Sequence, residues 1–118
     1  MNSKIKKVFI SGPMRGYDNM NKEAFFEAEE ILKMAGFDVF NPAWLNFGPG
    51  FSQADIMAID TAALSRCDYI YQLDGWERST GAVGEWQVAK WANIKPINKM
   101  WLNWYIDKRR KRKNKTEV

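Results

Sequence analysis

Short apolar runs alternate with segments of helical periodicity along the whole chain, and this alternation constrains its fold more than any other feature. Residues 5–11 are a β-branched run ending at Gly12 and Pro13, which predicts a buried first strand. Ala24, Phe25, Ala28, Ile31, Leu32 and Ala35 then recur at helical spacing, with Asn19 or Asn21 as the cap and Gly36 as the left-handed stop. Residues 37–40 predict a short second strand, stopped by Asn41 and Pro42. The segment 43–51, with Gly48, Pro49 and Gly50, is long for a plain connection and reads as a candidate lid. Ser52 and Asp55 form a capping-box variant that opens a second helix through Leu64. A third strand over 69–73, a third helix over 81–93, a fourth strand over 95–98 and a last helix from Met100 to Arg110 complete the order.

Strands separated by helices argue for a parallel sheet, because right-handed crossovers leave few other arrangements. The expected fold is therefore a single α/β domain, flavodoxin- or Rossmann-like, with four to five parallel strands and helices on both faces. A chain of 118 residues builds one core without staples. The domain is expected over 1–107, with 108–118 as a basic, disordered tail. In such sheets, ligands bind beyond the carboxyl ends of the strands, where the strand order reverses. With the order 2-1-3-4, the loop after strand one, Ser11-Gly12-Pro13-Met14-Arg15-Gly16, meets the loop after strand three.

That second loop carries most of the chemistry. Ser79, Thr80, Gly81 and Gly84 sit where the third strand hands over to a helix, and Glu85 reads as a first-turn carboxylate. Free N–H groups at a helix start make an anion cradle. The helix dipole favours an ionised acid there, ready to act as a nucleophile. The same residues also read as an ordinary capped helix. Across the crevice, Gly12 and Gly16 let backbone approach a ligand, and Arg15 supplies a planar cation for phosphate or sugar oxygens. Asp60 stands in an apolar stretch of the second helix, where it either marks the solvent face or reaches into the crevice.

Composition removes whole classes of chemistry. With no histidine, nucleophiles activated by His and His-ligated metal sites are excluded, so acid–base work falls to Asp, Glu, Tyr, Lys or Cys. The single cysteine, Cys67, rules out an internal disulfide framework and fits a reducing cytoplasm. The start shows no signal-peptide pattern and no apolar run reaches membrane-spanning length, so no membrane partner is expected. The net charge of +4 is uneven, because residues 108–115 hold seven positive charges and leave the rest slightly acidic. Such a run is more often a solvated tail than an arm that touches nucleic acid.

The first-strand motif from Val8 to Gly16, Asp60 on a helix, and Ser79-x-Gly-x-x-Gly-Glu85 together resemble the nucleoside 2-deoxyribosyltransferase superfamily. The likeness runs over residues 5–98 and is greatest to small phage and bacterial members and to deoxynucleoside 5′-monophosphate N-glycosidases. It implies that Glu85 attacks the anomeric carbon, that Asp60 protonates the base or orients the site, and that Ser79 binds a phosphate. It also implies a substrate pocket drawn from Phe9, Gly12, Met14, Arg15, Gly16, Asn41, Ser79 and Gly81, with neither metal nor organic cofactor. The implied activity is hydrolysis of a (deoxy)ribonucleoside 5′-monophosphate, with a pyrimidine as the candidate base, through a glycosyl-Glu85 intermediate. The alternatives are deoxyribosyl transfer to a second base, and a non-catalytic module that binds or sequesters a nucleotide.

One departure stands out. Many relatives carry a first-strand tyrosine that hydrogen-bonds the glutamate, and Phe9 stands in its place here. Trp76 and the aromatic residues of 44–51 offer faces on which a base stacks. Six tryptophans are many for one small core, and the resemblance implies a homodimer or a higher homo-oligomer. A neighbour's C-terminal segment would then close the phosphate site, with Asn98 and Lys99 as the first candidates.

Overall fold

The computed structural model describes residues 4–45 and 47–117, with side chains as far as Arg112. The expected lead-in at residues 1–3, Asn46 of the candidate lid, and Val118 lie outside the described residues. Eight principal elements follow in the expected order: β1 (Lys7–Ser11), α1 (Lys22–Met34), β2 (Asp38–Phe40), α2 (Gln53–Leu64), β3 (Tyr69–Gln72), α3 (Thr80–Trp91), β4 (Lys95–Ile97) and α4 (Lys99–Glu117). The strands form one sheet in the order β2-β1-β3-β4, and every neighbouring pair is parallel. The fold is thus the α/β class expected, with four strands.

Strand alternation distributes the core between two faces. Val8 and Ile10 of β1 pack with Phe25, Ala28 and Leu32 of α1 and Leu102 of α4. Phe9, between them, points the other way and packs with Leu64 of α2 and Ala89 of α3. Ser11 continues the Phe9 side, and Gln72, which pairs with it in register, lies on the same side as Ile70. The two polar strand ends therefore face α2 and α3.

Local chemistry explains the helix starts. Ser52 and Asp55 complete a reciprocal capping box at α2, with Ser52 N donating to Asp55 Oδ2 at 2.8 Å. α1 begins differently. Asn19, Met20 and Asn21 all adopt left-handed backbone, and Asn21 donates its amide to the Pro13 carbonyl at 2.8 Å rather than capping the helix. That bond ties the loop after β1 to the start of α1.

The basic segment from 108, expected as a disordered tail, continues α4 as far as Glu117. No Gly or Pro interrupts 99–117, and Lys and Arg are good helix formers. An Asp107–Lys111 pair at 3.2 Å and a Lys108 ammonium 5.4 Å from the Trp104 ring line the helix. The Arg109 guanidinium donates to the Ala35 carbonyl at the C-terminus of α1, where a cation suits the dipole. The basic run thus begins as part of the packed domain.

At the end of β1, Gly12 has no room for a side chain. A Cβ there would lie 2.7 Å from Leu73 Cβ. Leu73 N also donates to Ser11 O at 2.9 Å, so the two strand ends cannot separate without losing a ladder bond. Gly12→Ala is expected to destabilise the fold by about 1–3 kcal/mol through overpacking. A chemical-denaturation midpoint equal to that of the parent would contradict this.

Candidate active site

Glu85 occupies an inward position of α3, between Ala82 and Ala89, and is 6% exposed. The helix begins at Thr80, so Glu85 is its sixth residue and not a first-turn acid as expected. The dipole acts mainly within the first turn, and burial decides the charge instead. Desolvation raises the Glu85 carboxyl from 4.5 to about 8, and Asp60 adds to the rise. The expectation of a carboxylate kept ionised by the helix end is therefore corrected: burial makes this acid hold its proton.

Asp60 resolves in favour of the crevice. It is 7% exposed on α2 and its carboxyl interacts with that of Glu85. Burial raises its titration too. α2 and α3 pack closely at Gly84, where a Cβ would lie 3.1 Å from Met57 Cε, the tip of a flexible side chain. Met57 and Asp60 are three residues apart on one face of α2, so the contact that seats Met57 also presents Asp60 to α3. Two adjacent buried carboxyls do not both ionise at neutral pH, and the pair shares a proton.

Ser11 completes the group. Its hydroxyl donates to Glu85 Oε1 at 2.6 Å, in a buried bond from the end of β1 to the middle of α3. Two polar atoms around this centre are buried without a partner among the described residues: Asp60 Oδ1 and Gln72 Nε2. An unmade hydrogen bond of this kind costs about 1–3 kcal/mol, which a bound polar ligand would recover. The centre lies at the carboxyl ends of β1 and β3, the neighbouring strands where the order reverses.

The remaining expected residues divide. Ser79 caps α3, with its hydroxyl accepting from Ala82 N at 3.2 Å, and is partly exposed at the helix mouth. Gly81 has no neighbouring heavy atom within 4 Å of where a Cβ would stand, so the mouth is open. Gly16 needs its left-handed backbone, at φ +83°. Arg15 is exposed and bonds the Gln53 amide oxygen, which links the loop after β1 to the start of α2.

Three others are committed to the fold. Phe9 is wholly buried and stacks on Phe40 at 5.5 Å between centroids, which corrects its placement in the pocket. Asn41 is buried and fully bonded: its amide donates to Glu29 and to the Phe25 carbonyl, and its oxygen accepts from Ala43 N. Met14 packs against the α1 side of the core. Asn98 caps α4 through Trp101 N at 2.9 Å.

Ser11 and Gln72 were not singled out by sequence reasoning as site residues. Their signal was present, since each is the polar last position of an apolar strand. Among the described residues, no helix is long and apolar enough to cross a membrane, and no group of three or more His, Cys, Asp or Glu side chains is placed to hold a metal ion.

Fold and site together define a small α/β protein with a buried carboxyl pair at the sheet's topological switch point. Residues 6–97 match the family model described as "Domain of unknown function (DUF4406)", and the chain belongs to that family. No curated protein matches the chain in sequence. Among solved structures it is similar to a conserved protein from Enterococcus faecalis V583, with a TM-score of 0.63 at 20% identity over 80% of this chain. The match spans 63% of that protein's length. It is also similar to a 2-deoxyribosyltransferase from Bacillus psychrosaccharolyticus, with a TM-score of 0.61 at 18% identity over 78% of this chain and 70% of that one. The chain thus has the nucleoside 2-deoxyribosyltransferase-like fold.

Proposed function

We propose that the protein is an N-glycosidase acting on a (deoxy)ribonucleoside 5′-monophosphate, with Glu85 as nucleophile and Asp60 as acid. The observation that carries this reading is the buried Glu85–Asp60 pair at the open end of the sheet. A pair holding one proton supplies both a carboxylate and an acid, which glycosidic cleavage requires. In the reacting form the pair's one proton has passed to Asp60, and an oxygen of ionised Glu85 attacks C1′ as the bond from C1′ to the base nitrogen breaks. The bonding electrons leave with the base, which takes the proton from Asp60. Water then attacks C1′ of the Glu85 ester, the C1′–O bond to Glu85 breaks, and Asp60 accepts the water's proton. The products are free base and sugar 5′-phosphate.

The phosphate assignment is supported by the mouth of α3. Helix geometry leaves the first N–H groups without intrahelical partners, and the position of Gly81 is unobstructed. Ser79 stands beside them, with Arg15 on the loop across the crevice. Ser79→Ala is expected to raise KM for a monophosphate about tenfold, the worth of one hydrogen bond. KM for the corresponding nucleoside should stay unchanged. Equal losses on both substrates would reassign Ser79 to the sugar or to helix capping alone.

The assembly belongs to the same reading. Trp91, Met100 and Trp104 are 90%, 80% and 54% exposed, which is unusual for side chains of this size. We propose a homodimer that buries them, and sedimentation of the purified protein tests it. A monomer at tens of micromolar would contradict the dimer.

A further inference from the structure

We infer that Ser11 is a positioning residue for Glu85: its hydroxyl fixes the carboxyl and favours its ionised form. The inference rests on the proposed reaction for its catalytic meaning, but its geometry stands alone. Ser11 is 1% exposed, and its Oγ lies 2.6 Å from Glu85 Oε1. The Ser11 hydroxyl donates to the Glu85 carboxyl oxygen in a buried bond. A donor stabilises the charged form of its acceptor, so the bond works against burial at Glu85 alone.

The contact between the two carboxyls works the other way, lowering Asp60 and raising Glu85. Both are buried and both are raised by desolvation. Glu85 receives the serine bond, whereas Asp60 keeps an unpartnered buried oxygen, Oδ1. An acid facing an unpaired acceptor is the poorer place for negative charge. The serine bond therefore favours the ionised form of Glu85 that the proposed reaction uses. Among the described residues, the charged group acting on Glu85 is Asp60 of α2, beside the Ser11 hydroxyl of β1.

The origin of Ser11 in β1 also gives the bond precision. β1 is one of the two central strands, paired with both β2 and β3, and Gly12 is packed hard against Leu73 immediately after it. The donor is therefore mounted on one of the most constrained parts of the sheet, whereas the carboxyl it holds hangs from a helix.

The test is a pH titration of the glutamate side-chain carboxyl signals by carbon-13 NMR, with Glu85 assigned through Glu85→Gln. The parent is compared with Ser11→Ala and Ser11→Cys, which keeps the volume and weakens the donor. Both variants are expected to titrate Glu85 about one pH unit higher than the parent, a tenfold change in its proton affinity. The acidic limb of the kcat/KM profile should move up by the same amount, while KM changes little. A Glu85 midpoint and pH profile unchanged in the two variants would overturn the inference. If the parent turns over no nucleotide, the proposed reaction fails, and the NMR midpoints still decide the role of Ser11.

Discussion

Glu85→Gln is expected to leave the fold intact and to lower release of base from a nucleoside 5′-monophosphate by about 10³-fold or more, because the substitution removes the nucleophile and keeps its shape. The same variant has a signature in stability. The carboxyl titrates at about 8 in the folded protein against an ordinary 4.5, chiefly through burial. Between those values the folded state holds a proton that the unfolded chain has lost, so stability falls as pH rises. The favourable contribution is complete below the ordinary value and is lost on passing through about 8. Glu85→Gln should flatten that decline and be the more stable protein at pH 8–9. Chemical denaturation across the range reads the slope. A variant that keeps most of the turnover, or one that shows the parent's pH slope, contradicts the assignment of Glu85.

Asp60→Asn is expected to cost about 10²-fold in rate, the usual scale of general acid catalysis. The loss should be larger for bases that leave poorly and smaller for activated ones, which depart without protonation. Asparagine also removes the neighbouring charge that raises Glu85, so the Glu85 midpoint should fall in this variant. These two effects run in opposite directions, and a merely structural role for Asp60 produces neither. Equal rate losses on good and poor leaving groups would remove Asp60 from the acid's position.

Much of the fold was legible because each strand ends in a recognisable stop. Gly12-Pro13 closes β1, Asn41-Pro42 follows β2, and Gly36 and the Ser52–Asp55 box bound the helices. Alternation argues for parallel strands, and the order 2-1-3-4, which it left as a condition, is the one found. The tail was misread for a physical reason: charge pattern suggested solvation, but the run contains no helix breaker and Arg109 anchors it on α1.

The site was legible in part. Glu85 and Asp60 could be singled out as acids in unusual places, but their contact is made by the packing of α2 on α3. Such packing has no signature in spacing along one chain. Phe9 and Ser11 illustrate the same limit on a strand. They share a face, and only the packing decides that Phe9 fills the core beside Phe40 while Ser11 meets the acid. The charge state of Glu85 is not legible from spacing, because a dipole argument applies only in the first turn and Glu85, the sixth residue of α3, is governed by burial.

The most direct test of the account is chromatography of the purified protein incubated with each ribo- and deoxyribonucleoside 5′-monophosphate in turn, without any acceptor base. The account predicts free base and sugar 5′-phosphate in equal amounts from at least one of them, and none from the Glu85→Gln variant. Absence of base release from the whole panel, or release that appears only when an acceptor base is added, would contradict it.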